Sequence, residues 1–464
     1  MLKVTNDNAE LRFPLTTRRP DEAIAYVGHA LNSLSVGRGF VSVDQFLLHV
    51  EIVANLIPNK AYALNLCANR YLFLVSFCAV ICRGQCNLLP QNKTVSAQEQ
   101  IASSYHDAYV IHDGLKVSPS LESFDLLGAD FKLQSSGKKT PSDIPSPKAS
   151  QLACIAFTSG STGVPKPNKK LWQTLVKSTE INIRNMVPPL PTTIHEVATM
   201  PSQHMWGLET SILIPLFANV CVSDSQSLFP HNILRDIADL PEPRLLVSTP
   251  IHLKSLVSAD GENPNIHSVL TATSPVSSQL AEQVETHFNS ELREVYGCTE
   301  VGSMAIRRPS REEEWSRFDG IVFTLDNAGY TSASADHLVE SALLQDDIVL
   351  RGGRRFLLRG RLSDQVKIAG KRESLSAINT ILLNYEGVSD GVVFQREPIR
   401  ENTRLTALVV VKDGYDKSSL LAYLRKHLDS SFVPRYIHFV PLLPRGANGK
   451  LSKADLDRVL ESLA

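Results

Sequence analysis

Nine consecutive residues, Thr158-Ser-Gly-Ser-Thr-Gly-Val-Pro-Lys166, concentrate donors for an anion: two Thr, two Ser, two Gly and a Lys. Glycine lets backbone N–H groups approach an oxyanion closely, hydroxyls add donors and lysine adds charge. The chemistry that fits is phosphate binding. Spacing excludes a Walker loop, which needs Gly, four residues and then Gly-Lys-Ser/Thr. Here Gly163 is followed by Val-Pro-Lys, and Lys166 by Pro167. Taken alone, the segment fits a flexible polar loop equally well.

A phosphate loop needs a rigid mount. Residues 152–157 (LACIAF) form a short apolar run suited to a buried strand, and after the loop Leu171, Trp172, Leu175, Val176, Ile183 and Met186 recur at helical spacing. The unit is strand, loop, helix. Residues 41–90 read as core helices and strands, 245–247 and 269–270 as short strands, 405–411 (LTALVVV) as a buried strand and 418–428 as an amphipathic helix. Alternating strands and helices predict an α/β fold. Residues 134–150, rich in Ser, Pro and Lys, predict an exposed loop. Charged, Gly-punctuated 351–361 (RGGRRFLLRGR) predicts a domain boundary, giving a large domain over 1–361 and a small one over 362–464.

Composition narrows the class. The chain has 464 residues, 43% hydrophobic and 20% charged, which excludes wholesale disorder. Lys and Arg number 47 against 48 Asp and Glu, so the chain is not built to coat nucleic acid or an acidic membrane. Seven Cys show no metal-ligand spacing; Cys78, Cys82 and Cys86 fall at one-face helical spacing and read as small buried apolar residues. Reduced thiols fit a cytoplasmic compartment. The N-terminus lacks a signal-peptide apolar core, and the longest apolar run, 71–82, is too short to span a bilayer.

TSGSTGVPK strongly resembles the phosphate loop of the adenylate-forming superfamily of acyl- and aryl-CoA ligases, peptide-synthetase adenylation domains and luciferases. Four further segments resemble that superfamily's motifs in their usual order. They are Pro201-Ser-Gln-His-Met-Trp-Gly207 (substrate pocket), Glu294-Val-Tyr-Gly-Cys-Thr-Glu300 (nucleotide), Gly360-Arg-Leu-Ser-Asp-Gln-Val-Lys-Ile-Ala-Gly370 (hinge) and Pro444-Arg-Gly-Ala-Asn-Gly-Lys450 (catalytic lysine). Residues 1–150 match only loosely. The resemblance implies a large N-terminal α/β adenylate-forming domain and a small mobile C-terminal α+β domain.

It also implies roles. Thr158, Ser159, Ser161, Thr162 and Lys166 would hold the ATP β- and γ-phosphates. Pro167 replaces the usual Gly and stiffens the loop's exit, while Lys169 and Lys170 read as a solvated face. Tyr296 would pack near adenine, Thr299 would contact the α-phosphate and Glu300 would hold Mg²⁺. Cys298 sits at a position the superfamily varies, so a nucleophile is not implied. Thr273 and Ser274 would line adenine. Asp347, with Asp346 as near-equal rival, would reach the ribose, and Arg361 the ribose or phosphate. Ser363 stands at the hinge where Asp or Lys is usual, with Asp364 next to it.

Lys450 and His204 are the catalytic candidates. Residues 201–208 contain no Asp to pair a substrate ammonium, which favours a carboxylic acid without an α-amine. The implied reaction makes an acyl-adenylate and then a thioester with CoA or the phosphopantetheine of an acyl carrier protein. The wording of the motifs resembles adenylating ligases of bacterial aryl-polyene pigment clusters, which implies an aryl acid. A fatty acyl-CoA ligase, a luciferase-like oxygenase and a non-catalytic binding protein are the alternatives.

Overall fold

The computed structural model describes residues 10–31, 34, 36–128, 143–158, 166–261, 263–327, 329–368, 371–396, 404–446, 451 and 453–463. Two large sheets carry most of the chain. The first has six strands in the order Ser123–Asp125, Ala108–His112, Tyr62–Asn65, Cys86–Leu89, Leu152–Thr158, Lys166–Leu171. Every neighbouring pair is parallel except the last, an antiparallel hairpin that brackets the 159–165 loop. The apolar run of 152–157 becomes a strand because both of its faces are covered, with residues 153–157 all buried. Pro167 lies in the edge strand Lys166–Leu171, where the missing N–H leaves no interior ladder bond unmade.

The second sheet has 11 strands. Its centre is parallel: Val220–Ser223, Ile194–Ala198, Arg244–Ser248, Ser268–Thr271 and Glu291–Cys298 lie side by side. From Gly302–Arg307 onward the strands turn antiparallel, ending in the hairpin Asp346–Leu350 with Arg355–Arg361. Residues 351–361 are thus the turn and last strand of the large sheet.

The apolar stretch 71–82 lies in the helix Arg70–Cys82, which is buried all round from residue 70 to 81, as a core helix apolar on every side must be. Its first turn is capped by Asn69, whose Oδ1 accepts from Leu72 N at 3.0 Å. No helix among the described residues is long and apolar enough to cross a membrane. The three cysteines at helical spacing do not share a helix: Cys86 opens the next strand, after a turn at Gly84 with φ +72°. Cys78 and Cys86 are nonetheless buried, as small apolar residues should be.

Residues from 366 onward have their own core, with Val366, Ile378, Leu382, Leu405, Val409 and Leu424 at its centre. It is built on a sheet of Val388–Gln395, Leu405–Val411 and Tyr436–Phe439, covered by helices Leu375–Leu383 and Lys417–His427. The latter helix starts at Asp416, which accepts from Ser419 N, and ends on Arg425, Lys426 and His427, in keeping with the helix dipole. Most of 134–150 lies outside the described residues. Residues from 143 on are pinned to the N-terminal strap, where Leu15 N donates to Pro145 O and Phe13 N to Pro147 O.

Candidate active site

In open α/β sheets, ligands sit outside the carboxyl ends of the parallel strands. Thr158, His204, Thr273 and Thr299 all follow such ends, and all border one cleft of 3610 Å³. Lys166, Ser274, Tyr296, Glu300, Asp347 and Arg361 border it as well. Ser159, Ser161, Thr162 and Lys450 lie outside the described residues. Gly446 and Leu451, on either side of the lysine loop, border the same cleft.

Lys166 and Glu300 come from different sheets and meet here. Lys166 Nζ donates to Glu300 Oε1 at 3.3 Å. Burial raises the Glu300 carboxyl, but its own backbone N–H and Lys166 outweigh that and hold it below the usual carboxylate range. Beneath them, Lys170 corrects the expectation of a solvated face. In a strand, alternate residues share a face. Asn168 and Lys170 therefore point inward while Lys169 stays exposed. Lys170 is 3% exposed and donates to the Glu300 carbonyl at 2.7 Å, so it props the turn that presents the carboxylate. Burial pulls its ammonium below the usual lysine range.

Two glycines make the turn possible. Gly302 has φ +98°, and a Cβ there would stand 2.5 Å from Glu209 Oε1; at Gly297 it would meet the Gly302 carbonyl at 2.5 Å. Glu209 is buried and accepts from Ser303 N at 3.1 Å and Ser303 Oγ at 2.7 Å. Cys298 lies within the turn with its thiol pushed up to about 12 by burial, which suits a packing residue and not a thiolate nucleophile.

On the opposite side Tyr296 is packed against Trp315 and Phe356, and its hydroxyl donates to Asp346 Oδ2 at 2.7 Å. Burial raises the Asp346 carboxyl, against the pull of Tyr296 and Arg361. Asp347 accepts instead from Gln365 Nε2 at 3.0 Å. A register shift falls between Asp346 and Ile348, and Asp346 and Asp347 both border the cleft. Thr273 adopts φ +83°, a conformation that costs a β-branched residue of order 1–3 kcal/mol. The end of its segment is held by Glu294, which accepts from Val276 N at 3.0 Å and from Arg307 Nε at 2.7 Å. Ser363 lies in the turn Leu362–Asp364, directly after the last strand of the large sheet.

The segment 201–207 is a tight turn: a Cβ on Gly207 would sit 2.3 Å from the Pro201 carbonyl. His204 is half-buried, and its carbonyl accepts from Leu208 N at 2.7 Å to start the short helix Met205–Leu208. Behind it lies Arg70, a residue the sequence did not single out. Its guanidinium donates to Ser202 Oγ, Ser211 Oγ, Ala198 O and Met200 O at 2.6–3.1 Å. Glu209, Glu294 and Lys170 were likewise invisible as site supports, because their partners lie from 13 to 130 residues away.

The arrangement sets Lys166 beside a carboxylate, with an aromatic and two further acids at one end and a histidine-bearing turn at the other. A model of the AMP-binding enzyme family matches residues 60–328, and one of the AMP-binding enzyme C-terminal domain matches 377–450. A 4-coumarate–CoA ligase of Rhodobacter capsulatus is 26% identical over 351 residues, covering 73% of this chain and 83% of the relative. A 3,4-dihydroxybenzoate–[aryl-carrier protein] ligase of Bacillus anthracis is 22% identical, covering 67% and 74%. The anthranilate CoA ligase AuaEII, solved with anthranoyl-AMP, shares the fold at TM-score 0.78 and 13% identity over 96% of both chains. With its sheets, its cleft and the family's two parts matched in order, the chain belongs to the family of AMP-binding enzymes.

Proposed function

We propose that this chain activates a carboxylic acid with ATP and passes the acyl group to a pantetheine thiol. A carboxylate oxygen attacks the α-phosphorus, the α–β anhydride bond breaks and pyrophosphate leaves. The thiol sulfur then attacks the acyl carbon, AMP leaves and the thiol proton is released. The observation that carries this reading is the 3.3 Å approach of Lys166 to Glu300, which sets a phosphate-loop cation and an ionised carboxylate face to face across two sheets.

Thr158, Ser159, Ser161, Thr162 and Lys166 bind the β- and γ-phosphates, Thr299 the α-phosphate, and Tyr296, Thr273 and Ser274 the base. Asp347 and Arg361 take the ribose, while Asp346 holds the Tyr296 hydroxyl. Fixed donors of this kind stabilise charge where it develops. Mg²⁺ fits a single hard carboxylate, with phosphate oxygens completing the shell. Glu300, a carboxylate that borders the cleft beside Lys166, is the residue that would hold the ion. When bound, the ion neutralises charge on the phosphate oxygens.

The chain divides at Arg361 and Leu362 into a large domain and a lid that turns about Ser363 between the two steps. His204 faces the acid. The substrate is an aryl acid without an α-amine: residues 201–208 carry no acid, and the adjoining Glu209 is committed to Ser303. An unpaired buried ammonium would be costly. The acceptor is CoA or an acyl carrier protein, in a cytoplasmic enzyme of the aryl-polyene type. A panel of aryl, aliphatic and amino acids, with MgATP and either acceptor, tests this by pyrophosphate release. Aryl acids should lead. Efficient release with a free amino acid and none with the others would contradict it.

A further inference from the structure

We propose that Lys254 is a positioning residue that latches the small domain in the arrangement that brings Arg445 and Gly446 to the cleft. This rests on the function proposed above, with Lys450, the sequence's catalytic candidate, acting in its adenylating step. Lys254 lies on the helix Pro250–Val257, whose Leu253 and Leu256 are buried in the large domain's core. Its ammonium reaches the other domain, donating to the carbonyls of Val388 (3.3 Å) and Ser389. Those carbonyls open the strand Val388–Gln395. The next residue, Asp390, accepts from Arg445 Nε and Nη2, both at 2.8 Å, and Arg445 Nη2 also reaches Gly391 O at 3.2 Å. A two-pronged guanidinium–carboxylate contact fixes direction as well as distance. Arg445 immediately precedes Gly446, which borders the cleft together with Thr299 and Glu300.

A continuous path therefore runs from the large domain through Lys254, the 388–391 backbone and Arg445 to Gly446 at the edge of the cleft. No step of the chemistry needs Lys254 itself. Turning the small domain away from this arrangement breaks its two hydrogen bonds. The latch thus favours adenylation over thioester formation.

Lys254→Met keeps the apolar stem and removes the donors, and Lys254→Arg restores them. The first readout compares acid-dependent pyrophosphate release with thiolysis of a pre-made acyl-adenylate. Lys254→Met should lower the first about tenfold, the factor set by about 1.4 kcal/mol. It should leave the second unchanged or faster, and Lys254→Arg should recover most of the loss. A merely structural role would lower both equally. The second readout needs no turnover: fluorescence transfer between labels on Asp260→Cys and Lys426→Cys, both exposed, follows the inter-domain distance. Lys254→Met should move the distance distribution away from that of the parent. Unchanged release, equal loss in both half-reactions, or an unmoved distribution would each overturn the latch. If the parent releases no pyrophosphate with any acid, the functional reading fails, and the distance distribution alone decides whether Lys254 holds the domains.

Discussion

The two walls of the cleft are built on different principles. The wall proposed for the nucleotide presents its chemistry at the surface: the Lys166 and Glu300 side chains are 63% and 38% exposed. The wall proposed for the acid keeps its strongest polar groups behind the surface. Arg70 is 4% exposed and Glu209 2% exposed, and both are spent on holding backbone and hydroxyl groups in place. The contrast follows from what each wall must do. Every adenylating enzyme meets the same triphosphate, so the nucleotide wall needs direct charge. The acid wall must be shaped for one acid, and shape comes from support.

The sharpest way to break that contrast is to remove the charge brought by the small domain. Lys450→Ala should lower acyl-adenylate formation by roughly 10²–10³, the usual cost of one charge-stabilising donor. Thioester formation from pre-made acyl-adenylate should be largely spared. Equal loss in both half-reactions, measured separately, would put the lysine in both states. On the nucleotide wall itself, Glu300→Gln keeps shape and removes charge. Pyrophosphate release should fall by about tenfold or more, with a weaker response across a Mg²⁺ titration. An unchanged titration would remove Glu300 as the metal ligand.

On the acid wall the loss should appear first as stability. Arg70→Met deletes four hydrogen bonds from a buried cation and should cost about 3 kcal/mol in denaturant unfolding. It should also raise KM for the acid more than KM for ATP. An equal rise in both would erase the distinction between the walls.

These differences explain what could be read from the chain. The strand–loop–helix around Thr158 was legible because an apolar run, a Gly/Ser/Thr loop and helical spacing follow one another directly. The strand Leu405–Val411 was legible because it is continuous and apolar. Lys170 was misread because charge suggests solvent, and only its place in the alternation of an edge strand turns it inward to the Glu300 carbonyl. Cys86 was assigned to a helix face by spacing alone, when the positive-φ turn at Gly84 ends the helix first. Arg70 gave no local sign, since its hydroxyl and carbonyl partners lie at least 128 residues away.

A prediction confined to stability belongs to Glu196, beside Arg70. It is fully buried on the strand Ile194–Ala198, and neither carboxylate oxygen has a hydrogen-bond partner among the described residues. Burial pushes its carboxyl up to about 8, against the pull of Arg70. A value raised on folding means that its contribution to stability is fully present below the unfolded value of about 4.3 and is lost as pH rises through about 8. Glu196→Gln should therefore flatten the fall in Tm between pH 5 and about 8 without changing activity at neutral pH. A parallel decline in parent and variant would show that Glu196 is ionised throughout.

The central claim is that this cleft makes an acyl-adenylate, and exchange of labelled pyrophosphate into ATP without any thiol acceptor tests it most directly. Exchange should require both an aryl acid and Mg²⁺, and should collapse in Lys450→Ala and Glu300→Gln. Exchange that is absent with every acid, or that persists in both variants, would contradict the account.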